Sequence, residues 1–293
     1  MNDNVIRLYP KVADENYSSI RNAQADEYNK ILQSDLGGFN FMIYYDRVLL
    51  TTEYGVNRED LTKILYLASF MDYSNTLVLN RGRGGRYANI PMTKKDMIKE
   101  LGLNERVCRN FISDMIKKGI MIEDNSKFKL NEDIIKHGKL DNKFKKNYAK
   151  IYNNTIQDLY RGINKRTLDK LGFILELVAF IHKDTNRIVN PFKSDEPITA
   201  DTFYINTQDL YTLFMNRDME HATRQRVNAF KQSLLGIKFK AFDREFSAFM
   251  YVKKQVGKRT MEYWVINPHL INKLTDVDKH IEIIKSDFDR LDI

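Results

Sequence analysis

The sequence predicts an α+β fold, mainly helical, in which two consecutive units repeat the order helix, turn, helix, hairpin. Each unit has two amphipathic helices separated by a short polar break, and the second helix ends at a glycine, Gly119 or Gly236. Two apolar strand-like runs follow each helix pair. In addition, residues 128–136 (FKLNEDIIK) resemble residues 264–272 (WVINPHLIN). We interpret this as a diverged duplication, with chance similarity of unrelated segments as the alternative.

Composition favours a globular protein of a reducing compartment. Hydrophobic residues make up 43% of the 293 residues, which excludes a mostly disordered chain. No stretch reaches the roughly 18 apolar residues of a membrane span, and the first residues lack the apolar core of a signal peptide. The single cysteine, Cys108, excludes a disulfide framework within the chain. We therefore expect a cytoplasmic protein without a membrane partner.

The charge of the chain favours a polyanionic partner. Lys and Arg outnumber Asp and Glu by 47 to 39, which gives a formal net charge of +8. Residues 276–293 contain six acidic and three basic residues, so the excess of positive charge belongs to the rest of the chain.

The first unit is predicted in residues 46–140, after an N-terminal arm at 1–45 with one short helix. A helix spans 57–71 with Asn57 as its N-cap, and strand-like runs follow at 76–79 and 87–90. Thr93 caps the next helix, Gly102-Leu103-Asn104 form a turn, and a second helix spans 105–118. Strands at 120–123 and 127–130 complete the order of a winged helix-turn-helix.

The second unit is predicted in residues 166–275, after a basic linker or connecting helix at 141–165. Its first helix spans 167–183, and Asn206 or Thr207 caps the next. A break at 216–218 precedes a helix at 220–235 and a hairpin that pairs 249–253 with 260–266.

The helix at 105–118 has the two faces that reading a DNA major groove requires. One arc is apolar, with Val107, Cys108, Phe111, Ile112 and Met115. The predicted DNA-binding residues of the other arc and of the preceding turn are Asn104, Arg106, Arg109, Asn110, Ser113 and Lys117. Arg suits guanine, Asn suits adenine and Lys suits phosphate. The alternative is an ordinary solvated helix face.

In the second unit, Val227, Phe230 and Leu234 are expected to face inward. The predicted DNA-binding residues are Arg224, Gln225, Asn228 and Lys231, and a protein contact is an equal alternative. The hairpins add predicted phosphate contacts at Lys127, Lys129, Lys254, Lys258 and Arg259.

Residues 81–86 (RGRGGR) form the sharpest short motif. Arg81, Arg83 and Arg86 on a glycine-flexible loop are suited to a narrow A·T minor groove. The motif resembles the Arg-Gly-Arg core of an AT-hook but lacks its proline. The alternative is a surface hairpin turn without a role in nucleic-acid binding.

No residue pattern indicates catalysis or a cofactor. The five histidines lack metal-ligand spacing, and Cys108 lies on an inward helix arc. We expect no catalytic residue, metal or cofactor.

In the acidic tail, predicted as an amphipathic helix at 276–293, apolar residues recur every three or four positions. This seam either joins two protomers or packs on the parent domain: Val277, Ile281, Ile284, Phe288 and Leu291.

Residues 92–104 (MTKKDMIKELGLN) are similar to the start of the recognition helix in winged-helix regulators of bacterial transcription. Residues 57–275 resemble tandem winged-helix DNA-binding proteins of Gram-positive phages and plasmids, which include replication initiators. The second unit departs from the pattern, since Met215 stands where the turn glycine is expected. The resemblance implies recognition positions at Arg106, Arg109, Asn110, Gln225 and Asn228.

Three hypotheses follow. The first is a sequence-specific double-stranded DNA-binding regulator of transcription, of phage type, acting in the cytoplasm of a bacterial host on an AT-rich site. The second is a replication initiator that binds origin repeats and recruits replication machinery. The third is a protein-interaction module that uses the same fold.

Overall fold

The computed structural model describes residues 34–44, 49–83, 86–138, 140, 148–164, 168–193, 204–215, 223–256 and 258–273, together with residues 30 and 283. The side chains of 80–88, 193, 256 and 259 lie outside this description. No helix within these ranges combines the length and the apolar composition that crossing a bilayer requires.

The first unit begins with two helices and a hairpin and continues with a helix pair and a second hairpin. These elements are α1 (Leu50–Tyr54), α2 (Arg58–Ala68), β2 (Val78–Arg83), β3 (Arg86–Pro91), α3 (Lys94–Leu101), α4 (Glu105–Lys117), β4 (Met121–Asp124) and β5 (Lys127–Leu130). The predicted caps are present, since Asn57 accepts from the Asp60 amide and Thr93 forms a capping box with Asp96. Gly102 takes a left-handed conformation (φ 60°) between α3 and α4.

The second unit repeats the helix pair and has two consecutive hairpins. Its elements are α6 (Leu168–Glu176), a 3₁₀ turn (Leu177–Phe180), α7 (Thr207–Met215), α8 (Arg224–Leu235), β8 (Lys238–Ala241), β9 (Arg244–Ser247), β10 (Phe249–Val256) and β11 (Arg259–Ile266). The prediction of one helix over 167–183 was wrong, because the chain leaves helical geometry after Phe180 and Ile181 pairs with Ile188. The break predicted at 216–218 lies outside the described residues.

A four-stranded antiparallel sheet joins the two units in the order β12-β7-β1-β6. Its strands are β1 (Phe39–Ile43), β6 (Ile135–His137), β7 (Tyr148–Tyr152) and β12 (Ile271–Asn272). Two predicted boundaries need correction. The arm at 1–45 contains β1, and the segment 141–165, predicted as a linker or connecting helix, contains the strand β7 in addition to a helix, α5 (Asn153–Gly162). Four of the five β1 residues are buried, so this segment lies inside the fold.

The sheet has an approximate two-fold axis. In β1, Met42 pairs with Ile135 of β6, and in β7, Ile151 pairs with Ile271 of β12. A rotation of 180° about an axis through the centre of the β1–β7 pair, perpendicular to the sheet, superimposes the first of these pairs on the second. The axis also relates α2 to α6. Thr62 in α2 donates to the carbonyl oxygen of Leu168 at 3.2 Å, while Gly172 in α6 lies directly against the carbonyl of Arg58. The two units are therefore related by approximate rotation and not merely joined in series.

Two asparagines repeat the same hydrogen bonds in the two units. Asn75 and Asn186 both have positive φ, 58° and 51°. The amide of Asn75 donates to the carbonyls at positions 130 and 135 and its oxygen accepts from the nitrogen at 137. Asn186 does the same at positions 266, 271 and 273. The sequence repeat at 128–136 and 264–272 thus corresponds to a repeated structure around these two side chains.

The two-fold axis groups β1 and β6 with the first unit, and β7, α5 and β12 with the second. Each unit then holds the first helix of the other unit's helix pair. Tyr160 in α5 donates to the carbonyl of Leu101 at the end of α3, at 2.9 Å. Arg58 in α2 donates to the carbonyl of Phe214 near the end of α7, at 2.6 Å. Arg58 also forms an ion pair with the buried Glu176, at 2.6 Å. Because buried apolar side chains of both units form one continuous core, these crossed contacts fix the two helix pairs relative to each other.

Candidate nucleic-acid interface

The helix α4 presents a polar face to solvent. Five of the predicted side chains are exposed along it: Arg106, Arg109, Asn110, Ser113 and Lys117. The opposite face is buried, with Cys108, Phe111, Ile112 and Met115. Burial raises the pKa of the Cys108 thiol, which suits an inert packing role and not a nucleophile.

Hydrogen bonds and ion pairs within α4 determine which of its polar side chains can bind a ligand. The side chain of Asn104 accepts from the Arg106 amide at 2.9 Å, so its oxygen caps the helix. The Arg109 guanidinium lies 2.5 Å from the Glu105 carboxylate, and both side chains are largely exposed. Such an exposed pair is weak and can be exchanged for a phosphate or a base. Within the described ranges Arg106 and Lys117 form no ion pair, so their charges are not offset locally.

Val107 does not lie where the sequence pattern predicted. It was expected on the buried arc of α4, but 49% of its surface is exposed. The buried residues centre on Cys108 and Met115, and Val107 lies about a quarter-turn from that centre, on the same side as Asn110. The apolar pattern over-predicted its burial, because helical spacing places Val107 at the edge of the buried arc and not at its centre.

The hairpin β4–β5 extends beside α4 and carries both signs of charge. Asn125 and Ser126 form its turn with positive φ values of 48° and 63°. Lys127 is exposed, whereas Lys129 is half-buried with its amine 3.8 Å from the Asp124 carboxylate. The predicted phosphate contact is therefore more accessible at Lys127.

Residues 81–83 and 86 of the RGRGGR motif lie in paired strands and not in a loop. The strands β2 and β3 pair Arg81 with Ala88 and Arg83 with Arg86, so the register continues to the final arginine pair. The prediction of a glycine-flexible loop over the whole motif was wrong, because the strand pairing includes three arginine positions. The side chains of Arg81, Arg83 and Arg86 lie outside the described residues.

The helix α8 corresponds to α4 position by position. Thr223 caps α8 through the Arg226 amide, as Asn104 caps α4, and buried Phe230 matches Phe111. The predicted Arg224, Gln225 and Asn228 are exposed. Sequence reasoning missed Arg226, which is also exposed; its charge was the available signal, because helical spacing places it at the edge of the apolar arc.

Lys231 is less accessible than predicted. Its amine lies 3.1 Å from the centre of the Tyr251 ring in β10, a cation–π contact between the helix and the hairpin. Burial lowers the pKa of Lys231, and burial together with Glu262 raises the pKa of Tyr251 to about 12. Lys231 therefore positions the hairpin against α8 in this structure.

A concave surface that encloses a cavity of about 580 Å³ lies between α8 and the hairpin β10–β11. Helix side chains Arg224 and Asn228 face hairpin side chains Lys253, Thr260 and Glu262 across it. Lys253 and Glu262 form an ion pair at 3.4 Å. The sequence did not reveal this surface, because the helix and hairpin residues that create it are separated by 25 to 38 positions.

The remaining predicted residues lie at the hairpin tip and in the tail. Lys254 and Lys258 are exposed near the tip, and the side chain of Arg259 lies outside the described residues. The predicted dimer seam also lies outside them: Val277, Ile281, Ile284, Phe288 and Leu291. Ile283 is described, and it packs against Tyr263 and Val265 of β11.

No group of three or more His, Cys, Asp or Glu side chains in the described ranges is arranged to hold a metal ion. Comparison with known protein families, with curated proteins and with solved structures found no match to this chain.

Proposed function

We propose that this protein binds double-stranded DNA sequence-specifically through two winged-helix units, with α4 and α8 as recognition helices. The observation that carries the proposal is the exposed polar face of α4, which follows a tight turn and precedes a hairpin. A B-DNA major groove admits an α-helix, and winged units insert the second helix of the pair. The corresponding exposed face of α8 supports a second contact.

The approximate two-fold axis favours a target with two half-sites in inverted orientation. A rotation that also related the two helix pairs would put α4 and α8 on opposite sides of the axis, at the same height along it. One chain then offers what regulators commonly obtain from a dimer. This arrangement favours a regulator of transcription at an operator. The proposal that it is of phage type and acts in the cytoplasm of a bacterial host rests on the sequence resemblance alone.

The exposed side chains divide into base-reading and phosphate-binding groups. Arg106 suits the guanine O6 and N7 atoms, and Asn110 suits the adenine N6 and N7 atoms. Lysines at the periphery suit phosphate, which supplies affinity without sequence choice: Lys117, Lys127, Lys254 and Lys258.

The first test is selection of bound duplexes from a random library, followed by affinity measurements on the selected site by fluorescence anisotropy. We expect a defined sequence, and an affinity that falls about a thousandfold between roughly 50 and 200 mM salt. Replacing both Arg106 and Asn110 by Ala should weaken specific binding by at least about 30-fold, since each is expected to contribute about 1–3 kcal/mol, and leave nonspecific binding nearly unchanged.

Arg244→Ala is the matched control, because Arg244 is exposed on β9, which lies outside both helix pairs. A similar loss in the control and the double variant would contradict base reading by α4. Protection of directly repeated sites with strand opening would favour the replication initiator instead. Absence of salt-dependent duplex binding would reject the proposal and favour the protein-interaction hypothesis.

The RGRGGR hairpin gives a separate prediction. Replacing Arg81, Arg83 and Arg86 together by Ala should weaken binding most on duplexes with A·T-rich flanks, because a narrow minor groove concentrates negative potential. Affinity is measured on the same core site with A·T-rich or G·C-rich flanks. An equal loss on both would mean that the hairpin binds phosphates without reading groove width.

A further inference from the structure

Val107 is an apolar residue on the otherwise polar exposed surface of α4. It is the third residue of α4, and 49% of its surface is exposed although the side chain is apolar. A β-branched residue at an exposed helical site is slightly unfavourable compared with alanine. Isolated exposed apolar residues are common on protein surfaces, so exposure alone assigns no role.

Val107 lies near the N-terminus of α4. Residues near the N-terminus of a recognition helix contact base edges, and Val107 shares the first turns of α4 with Arg106 and Asn110. Matching the helix caps at Asn104 and Thr223 places Val107 at the position that Arg226 occupies in α8. Both side chains are exposed, so the position faces outward in both units.

We infer that Val107 contacts the C5-methyl group of a thymine in the major groove and thereby selects the base pair read by the first unit. Thymine alone among the four bases carries a methyl group there, and an apolar side chain recognises it by excluding water. Asn110 lies one helical turn further along the same side and suits an adenine, so the pair selects A·T steps. The inference rests on the proposed function and names the chemical group that one residue reads.

The test removes the methyl group and nothing else. In the selected duplex, each thymine is replaced in turn by deoxyuridine, which keeps base pairing but lacks the C5-methyl. For the wild-type protein, one thymine in the half-site protected by the first unit should weaken binding about fourfold when replaced, the amount expected for one buried methyl group. Val107→Ala should lose a similar amount on the thymine duplex and be insensitive to uracil at that position.

Arg226→Ala is the matched control, because it changes the corresponding residue of the other unit. It should retain the full uracil effect at the thymine assigned to Val107. Specific binding without any uracil-sensitive thymine would overturn this inference and leave the proposed function intact. An undiminished uracil effect in Val107→Ala would also overturn it. Failure to bind any duplex would overturn the proposed function and this inference together.

Discussion

Arg58→Ala is expected to lower the free energy of unfolding by about 3–5 kcal/mol, the usual cost of removing one partner of a buried ion pair. Glu176 is 1% exposed, and its carboxylate accepts from Arg58 and from the hydroxyl of Thr51. Without Arg58, this buried charge loses its counterion. The variant also loses the bond to the Phe214 carbonyl and the contacts of the guanidinium with the Phe173 and Phe214 rings.

Urea unfolding followed by circular dichroism measures this effect. Arg161→Ala is the matched control, since Arg161 also contacts the other unit but is 57% exposed and pairs with Glu100 at 3.6 Å. Its replacement should cost less than about 1 kcal/mol. Adding Glu176→Gln to Arg58→Ala should recover part of the loss, because the uncompensated charge is removed. Equal losses in the two arginine variants would contradict the proposed role of burial.

Gly172→Ala should destabilise the protein by about 3 kcal/mol. A methyl group on Gly172 would overlap the carbonyl group and the Cβ atom of Arg58, so α6 and α2 would have to move apart. Inserting even one carbon into a tightly packed contact typically costs about 1–3 kcal/mol, and here the obstacle is largely backbone. The same shift would disturb the hydrogen bond from Thr62 to Leu168 on the other side of the axis.

Gly162→Ala is the control, since Gly162 is the last residue of α5 and an added methyl group meets nothing within 4 Å. We expect it to be neutral or to stabilise the protein by up to about 1 kcal/mol, because alanine restricts the unfolded chain. Thermal or urea unfolding compares the two variants. A loss at Gly172 no larger than at Gly162 would show that the helices can separate at little cost.

Sequence patterns predicted the elements that local interactions determine. The caps at Asn57 and Thr93, the turn at Gly102 and the hairpins β4–β5 and β10–β11 depend on residues close together in the chain. The hairpin β8–β9 was missed, although it is local. Its turn uses Phe242 and Asp243 at positive φ (51° and 57°), without the glycine or asparagine that usually identifies such a turn.

The sequence did not predict the elements that join the units. The strand β1 pairs with β7, and Phe41 meets Lys150 across more than 100 residues of chain. No periodicity in a short segment reveals such a partner. The cation–π contact of Lys231 with Tyr251 was missed for the same reason, and so was the ion pair of Arg58 with Glu176. The polar face of α4 was predictable because helical spacing alone determines it.

The axis between the units relates stretches of a single polypeptide, and this changes how the protein can vary. In a dimer of identical chains, one substitution alters both halves at once. Here Arg106 corresponds to Gln225 and Val107 to Arg226, so the matching positions already carry different chemistry. Under the proposed function, a mutation can rewrite one half of the recognised DNA and leave the other unchanged. The natural target is then expected to be an imperfect palindrome, whose two half-sites differ in sequence as the two units of the protein do.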